Sequence, residues 1–400
     1  MNAVLTTFLE LCNPSCTSLS SSLSEDDWNS ISQLSQRHGL TPYFFYRVKS
    51  LGISLPEDIN KKWLGSFLYQ IAEERKARQQ IKELKKVLDP AGIPMILLKG
   101  TSAMMRLYPN QGLRTFCDLD ILIPADKVVD FREVISKAGY KPSVVLNSPE
   151  EEEVWKFESH LAALQKGDGI PIETHLSILA REDGHENAWN KLWKDSEETE
   201  IDGVRVNHLN KEHFIIHMLL HFVKHLRTEG NLQMKSLIDV LYAINTWEID
   251  CDILWDQAQR WRVQNEIIPV IATMNHYWHI EIPVTDEVVS LDLSKLIFSV
   301  DDQQRIILGR IPGGFISRLV KMKELSDNAS RFRYFFHIFF PCRENLYWRY
   351  GFSAKRSIRA YYLQHLSVIS RRFLTGILLL ISGMPKRLGF HVHNGNASSH

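Results

Sequence analysis

The stretch CDLDILI at 117–123 places Asp118 and Asp120 in alternation with Leu119 and Ile121, and PIETHL repeats the spacing with Glu173 and His175. Alternate side chains of an extended strand share a face, so Asp118 and Asp120 project together, and so do Glu173 and His175. Carboxylates gathered in this way repel one another unless a cation lies among them. Hard oxygen donors suit Mg²⁺ (or Mn²⁺), which takes one or two carboxylates together with substrate phosphates and water. An isolated D-x-D pair is also common on exposed edge strands. Here the pair is embedded in apolar LDILI, which favours Asp118, Asp120 and Glu173 as metal ligands.

Lys99-Gly100-Thr101-Ser102 supplies features of a different kind. It follows the apolar run Met95-Ile96-Leu97-Leu98, as expected where a buried strand enters a tight turn. A glycine there lets backbone N–H groups approach an anion, and the start of the following helix adds partial positive charge. Lys99 and Arg114 contribute full charges, and Thr101 or Ser102 can cap the helix. K-G-T alone says little, since glycine after a strand is usually a turn residue; the order of these elements along the chain is what points to a phosphate cradle. A third set is the helix HFIIHMLLHFVKH, in which His213, His217, His221 and His225 recur every four residues. The glutamate of an H-E-x-x-H zinc motif is missing. Metal binding is one reading. The other turns His221 and His225 toward the sheet, near Lys235 and Asp239 of QMKSLIDVLYAI, as a polar network or substrate wall that could include His175.

The elements that must position these residues follow from periodicity. Helical spacing of apolar residues runs over 28–48 and 63–88, and Ser24 precedes the acidic turn Glu25-Asp26-Asp27 as an N-cap. Strands are expected at 94–98 and 117–123, a short helix at 103–108, and an amphipathic helix at 126–138 that ends at Gly139. An acidic run at 150–153 precedes a hairpin: 159–164, a turn at Lys166-Gly167-Asp168-Gly169, then 170–178. From Glu212 onward the period is helical again. The chain thus divides into a helical region at 1–90, a small mixed-sheet unit at 91–205, a helical region with the histidine helix at 206–300, and a C-terminal helical region at 301–400. This is an α+β organisation.

Composition narrows the class of protein. Lys+Arg 47 against Asp+Glu 47 leaves a net charge of +0, without the overall basic signature of a dedicated nucleic-acid binder. The charge is uneven, however. Between 328 and 390 the chain carries Arg331, Arg333, Arg343, Arg349, Lys355, Arg356, Arg359, Arg371, Arg372, Lys386 and Arg387 against Glu344 alone. Aromatic residues interleave with them in RFRYFFHIFF and NLYWRYGF. That mix suits an anionic membrane surface, RNA stacking, or a solvated helical face with a core of aromatics. The apolar run 373–384 falls short of the roughly twenty residues of a membrane span. Five sparse cysteines (Cys12, Cys16, Cys117, Cys251 and Cys342) form no disulfide framework, and Cys12 and Cys16 read as half-buried thiols at a helix start. The N-terminus, with Glu10 and no basic residue before its apolar run, lacks the order of a signal peptide. A cytoplasmic location is expected, with peripheral contact at the inner membrane surface through the basic tail.

ILLKGTSAMMRLYPNQGLRTFCDLDILI followed by PIETHLSIL resembles the uncharacterised nucleotidyltransferase family of the DNA polymerase β-like superfamily, whose pattern runs L-K-G, R-x3-D-x-D-h-L, h-E-x-H. The resemblance extends over about 30–245 and takes in RHGLTPYFFYRV and the later H-x3-H segment. It implies a nucleotidyltransferase palm at 91–205, with Asp118 and Asp120 holding two divalent ions and Glu173 completing the cluster or taking the acceptor proton. It also implies binding of an NTP by Lys99, Gly100, Thr101, Ser102 and Arg114. The reaction would move an NMP to a hydroxyl acceptor (a small molecule, a sugar, a peptide or an RNA end) and release pyrophosphate. A non-catalytic nucleotide-binding or scaffold protein that keeps the palm is the alternative. No G-x4-G-K-[ST] loop or kinase motif competes with this reading.

Overall fold

The computed structural model describes residues 3–143, 161–178, 191–229, 232–284, 290–298, 328–341, 346 and 357–381. The described residues up to 298 form one compact unit and those from 328 a second.

In the first unit, α1 (Ala3–Cys12), α2 (Glu25–Arg37), α3 (Thr41–Ser50) and the long α4 (Glu57–Leu88) precede the sheet. Ser24 caps α2 in a reciprocal box: its hydroxyl accepts from the Asp27 amide and its own amide donates to the Asp27 carboxylate. The helical pattern expected over 28–48 is interrupted at His38-Gly39-Leu40. Gly39 adopts φ +65°, and Pro42 stands in the first turn of the next helix. Cys12 closes α1 rather than opening a helix; it is fully buried, and Cys16 is half-buried just beyond it.

Next come β1 (Ile96–Leu97), α5 (Lys99–Arg106), β2 (Leu119–Leu122), α6 (Val128–Lys137), β3 (Lys141–Pro142), β4 (Leu164–Gln165) and β5 (Ile172–His175). The hairpin β6 (Glu197–Ile201) and β7 (Val204–His208) completes the sheet. The strand order is β3-β4-β5-β2-β1-β7-β6. β2 runs parallel to β5 and antiparallel to β1, and β1 runs parallel to β7. The hairpin expected at 159–178 forms through Leu164↔Ile172; residues 159 and 160 and the acidic run 150–153 lie outside the described residues.

The period of two decides what each sheet face carries. Leu97, Leu119, Ile121 and Ile172 pack in one core with Ile81 and Leu84 of α4 and Phe131 of α6. Ile96, Leu98 and Leu122 belong to a second core, shared with the flanking helices. That face also carries Asp120, Glu173 and His175. Its helices are α1–α4 together with α7 (Lys211–Glu229), α8 (Met234–Thr246), α9 (Cys251–Arg260), α10 (Gln264–Trp278) and α11 (Leu293–Phe298). Phe8, Phe44, Trp63, Phe214 and Trp261 are fully buried in this core, and burial of such side chains contributes roughly 1.5–3 kcal/mol each.

In the second unit, α12 (Asn328–Phe339) packs against α13 (Ile358–Ile381). Tyr334, Ile338, Tyr361 and His365 are buried there, and the His365 ring lies 2.9 Å from the Ile338 carbonyl oxygen. Cys342, Arg343, Arg349, Lys355, Arg356, Lys386, Arg387 and residues 382–384 of the apolar run lie outside the described residues, as do the side chains of Arg371 and Arg372. Among the described residues, no helix is long and apolar enough to cross a membrane.

Candidate functional site

β2 and β5 pair in parallel with Asp120 opposite Glu173 and Leu122 opposite His175. In-register neighbours of this kind bring two carboxylates side by side, with the imidazole one pleat further on. The ligand-capable atoms of Asp120, Glu173 and His175 all lie within 4.8 Å of one another, which makes this a group able to hold a metal ion. His175 Nε2 lies 3.0 Å from Asp120 Oδ1 and 3.4 Å from Glu173 Oε2. Asp120 and His175 are buried and Glu173 is half-buried.

The third carboxylate, Asp118, falls one residue before β2 and is not a member of that group. Burial, and then the charges of Asp120 and Glu173, push its carboxyl up to about 6, against the pull of Lys99 and Lys235. Lys235 on α8 is pushed down to about 8 by burial and by Arg114, while Asp118 and Asp239 work the other way. Asp118 and Lys235 therefore sit within each other's field at the rim of the acidic centre.

Lys99 completes the centre. Its ammonium donates to Asp120 Oδ1 at 2.8 Å and to Glu173 Oε2 at 3.1 Å, and lies 3.1 Å from His175 Nε2. Burial works against its charge, but Asp120 and Glu173 outweigh that and hold the group protonated well above the usual lysine range. Lys99 opens α5 with a left-handed backbone, φ +43°, a conformation that L-residues adopt at a cost of about 1–2 kcal/mol.

The rest of the expected phosphate cradle faces inward. Thr101 and Ser102 do not cap α5: Thr101 Oγ1 accepts from the Asp120 amide at 2.9 Å, and Ser102 Oγ lies 2.8 Å from His208 Nδ1. Arg114 is buried against Asp239, with Nε at 2.9 and 3.0 Å from the two carboxylate oxygens and Nη2 at 2.8 Å from Oδ2. Asp239 is fully buried and also accepts from the Tyr108 hydroxyl at 2.6 Å. A Cβ on Gly100 would stand 3.1 Å from Arg114 Nη2, so the missing side chain is what lets the guanidinium lie against the first turn of α5. Arg114 and Asp239 are thus committed to each other and tie the start of α5 to α8.

On α7, which packs on α5 and α8, the His221 and His225 rings meet edge to face at 4.4 Å. Burial, followed by the charge of Lys99, holds both His217 and His221 neutral, well below the ordinary histidine value. His213 stacks on Trp261 at 4.9 Å, away from that field. Two of these participants carry no mark in the motifs, Tyr108, which shares Asp239, and His208, which anchors Ser102; His217, a member of the histidine repeat, feels Lys99 and His175. For His208 a signal was present in Asp202-Gly203, a two-residue hairpin turn between alternating segments that defines β6–β7.

A mixed sheet that presents two carboxylates in register beside a lysine-bearing strand-to-helix turn defines a site suited to a cation together with an anionic substrate. The model of the uncharacterised nucleotidyltransferase family matches residues 24–279, and the chain belongs to that family. Among solved structures, ANT(2″)-Ia in complex with adenylyl-2″-tobramycin is 12% identical over 47% of this chain and 98% of its own, with a TM-score of 0.33. An antigenic nucleotidyltransferase-like protein from Paracoccidioides brasiliensis is 12% identical over 56% of this chain and 97% of its own, with a TM-score of 0.34. No curated protein matches the chain.

Proposed function

We propose that this protein is a Mg²⁺- or Mn²⁺-dependent nucleotidyltransferase that moves an NMP from an NTP to a hydroxyl acceptor. The observation that carries this reading is the register of Asp120 against Glu173, with a cation, the Lys99 ammonium, already held between them. The donor set fits a hard divalent ion. Asp118 supports the fit, because its carboxyl stays short of positive charge even beside Lys99 and Lys235. Asp118, Asp120 and Glu173 would hold the metal, with His175 beside them. When bound, the divalent ions neutralise triphosphate charge and the pyrophosphate that departs.

The protein's own residues do the rest. Lys99 and the backbone of the first turn of α5 at Gly100 and Thr101 bind the triphosphate, while the Thr101 and Ser102 hydroxyls hold that turn against β2 and His208 and Arg114 fixes it through Asp239. The acceptor oxygen bonds to the α-phosphorus, the α–β phosphoanhydride bond breaks, and pyrophosphate leaves with the electron pair. Glu173, more exposed than Asp120, takes the acceptor's proton. His221, His225 and Lys235 line the acceptor side. The acceptor is a hydroxyl group of a small molecule, a sugar, a peptide or an RNA end.

The test is label transfer from each α-³²P NTP with Mg²⁺ in host extract. Wild type labels one acceptor. Asp120→Asn lowers the rate at least roughly a hundredfold, the order expected when charge stabilisation at the reacting phosphate is removed. Equal transfer by the variant overturns the assignment. Nucleotide binding by calorimetry without any transfer supports the non-catalytic module instead.

A second reading concerns partners: the protein is cytoplasmic and docks on an anionic membrane surface through its second unit. It rests on the aromatic face of α12, where Phe332, Phe335, Phe336 and Phe340 are exposed beside Arg331 and Arg333.

A further inference from the structure

Each contact that the Lys99 ammonium makes within the acidic centre is to a side chain of the metal-competent group: Asp120, Glu173 and His175. An ion coordinated by those atoms would need the volume that Nζ fills. Two cations at contact distance in a site this buried repel strongly, since the Lys99 and Asp120 side chains are 13% and 7% exposed and water screens them little. Occupancy by the ammonium and by the ion is therefore mutually exclusive. The left-handed backbone at Lys99 is a second, independent sign that this placement is imposed by its surroundings, because strain of that kind persists only where the structure over-determines it.

We infer that Lys99 is the resident counter-ion of the free protein and that it transfers to the triphosphate when the metal enters. This rests on the metal-dependent reading above. A metal ion arriving alone must expel the ammonium and leave it buried without an anion. A metal ion arriving with an NTP leaves every charge paired: the carboxylates hold the metal, and Lys99 at the head of α5 meets the phosphates. Ion and nucleotide then bind with positive coupling, equal in both directions. The positioning role of Lys99 is to keep the carboxylates together without metal and to make metal entry depend on the substrate.

The test uses full-length wild type and Lys99→Met, with Mn²⁺ followed by electron paramagnetic resonance of the free ion, and then the preformed Mn²⁺ complex of a non-hydrolysable NTP analogue followed by calorimetry. Lys99→Met binds Mn²⁺ alone about tenfold or more tightly than wild type, within the usual range of coupling energies, and binds the Mn²⁺–nucleotide complex more weakly. A merely structural lysine would weaken both. Mn²⁺ affinity in Lys99→Met equal to or below that of wild type overturns the inference while leaving the metal reading standing. If wild type and Lys99→Met both fail to bind Mn²⁺ in either form, the metal reading itself falls and takes this inference with it. Should Lys99→Met not fold, Lys99→Gln removes the charge but keeps a donor for the two carboxylates, and the same outcomes apply.

Discussion

His208 is a fully buried imidazole clamped between two hydroxyls, with Nδ1 2.8 Å from Ser102 Oγ and Nε2 2.8 Å from Thr199 Oγ1. Burial, reinforced by Arg106, pushes its pKa from the ordinary 6.5 down to about 3. Between those values the unfolded chain takes up a proton that the folded chain refuses, so stability is lost as pH falls below about 6.5. His38, pushed down to about 4 by burial, acts in the same direction, as do His217 and His221. Urea midpoints should therefore fall steadily from about pH 7 to pH 5, each such histidine contributing up to about 1.4 kcal/mol per pH unit. In His208→Gln, whose amide can still meet both hydroxyls, the acid slope should become shallower by about one proton. A slope equal to that of wild type would contradict this account of His208.

The segment between α5 and β2 has no regular structure, yet it must deliver both Arg114 and Asp118 to the site. It is held against α4 at two points: the Gly112 amide donates to Glu74 Oε2 at 2.8 Å, and Gln70 Nε2 donates to the Arg114 carbonyl at 3.2 Å. Gly112 adopts φ +82°, and a Cβ there would stand 2.5 Å from Ile71 Cγ1 and 3.0 Å from the Ile71 amide nitrogen. Strain and a clash with backbone combine, so Gly112→Ala should cost more than about 2 kcal/mol in urea unfolding. A cost under about 0.5 kcal/mol would show that the segment does not depend on this approach. Elements with a strong local period were legible in advance: β2 and β5 from alternation, α6 from its amphipathic stripe, the β4–β5 turn from its glycines. The parity of LDILI puts Asp120 on the sheet face opposite to that of Leu119 and Ile121. What local pattern cannot carry is pairing between distant segments. Lys99 reads as a phosphate ligand in isolation, and only the antiparallel β1–β2 register, Leu97 opposite Ile121, swings it onto Asp120. The same holds for Arg114, whose partner Asp239 is brought to it by helix packing. The β6–β7 hairpin was missed because Glu197, Thr199 and Glu198 on β6 dilute the apolar alternation.

At the scale of the whole chain, a net charge of +0 sums a sheet unit with clustered carboxylates and a C-terminal region in which basic residues far outnumber acidic ones. The second unit shows what that excess accompanies. α12 spends one face, Tyr334 and Ile338, on α13, and turns another, aromatic face outward. Phe332 and Phe336 stack at 6.5 Å and Phe336 and Phe340 at 4.9 Å, a continuous stripe one turn apart, and Phe332 is 68% exposed. Phenylalanines on one helix face with arginines alongside match the chemistry of a helix lying in the headgroup region of an anionic bilayer, where apolar area and charge add. Full-length protein should therefore co-sediment with vesicles containing phosphatidylglycerol, do so less at high salt, and do so little with phosphatidylcholine alone. The double variant Phe332→Ser, Phe336→Ser should lose most of that pelleting. Its melting temperature should stay near that of wild type, since substitutions at exposed positions usually move stability by no more than about 0.5 kcal/mol. Equal pelleting of variant and wild type would leave the stripe without a membrane role, and equal pelleting on neutral and anionic vesicles would remove the arginines from the account.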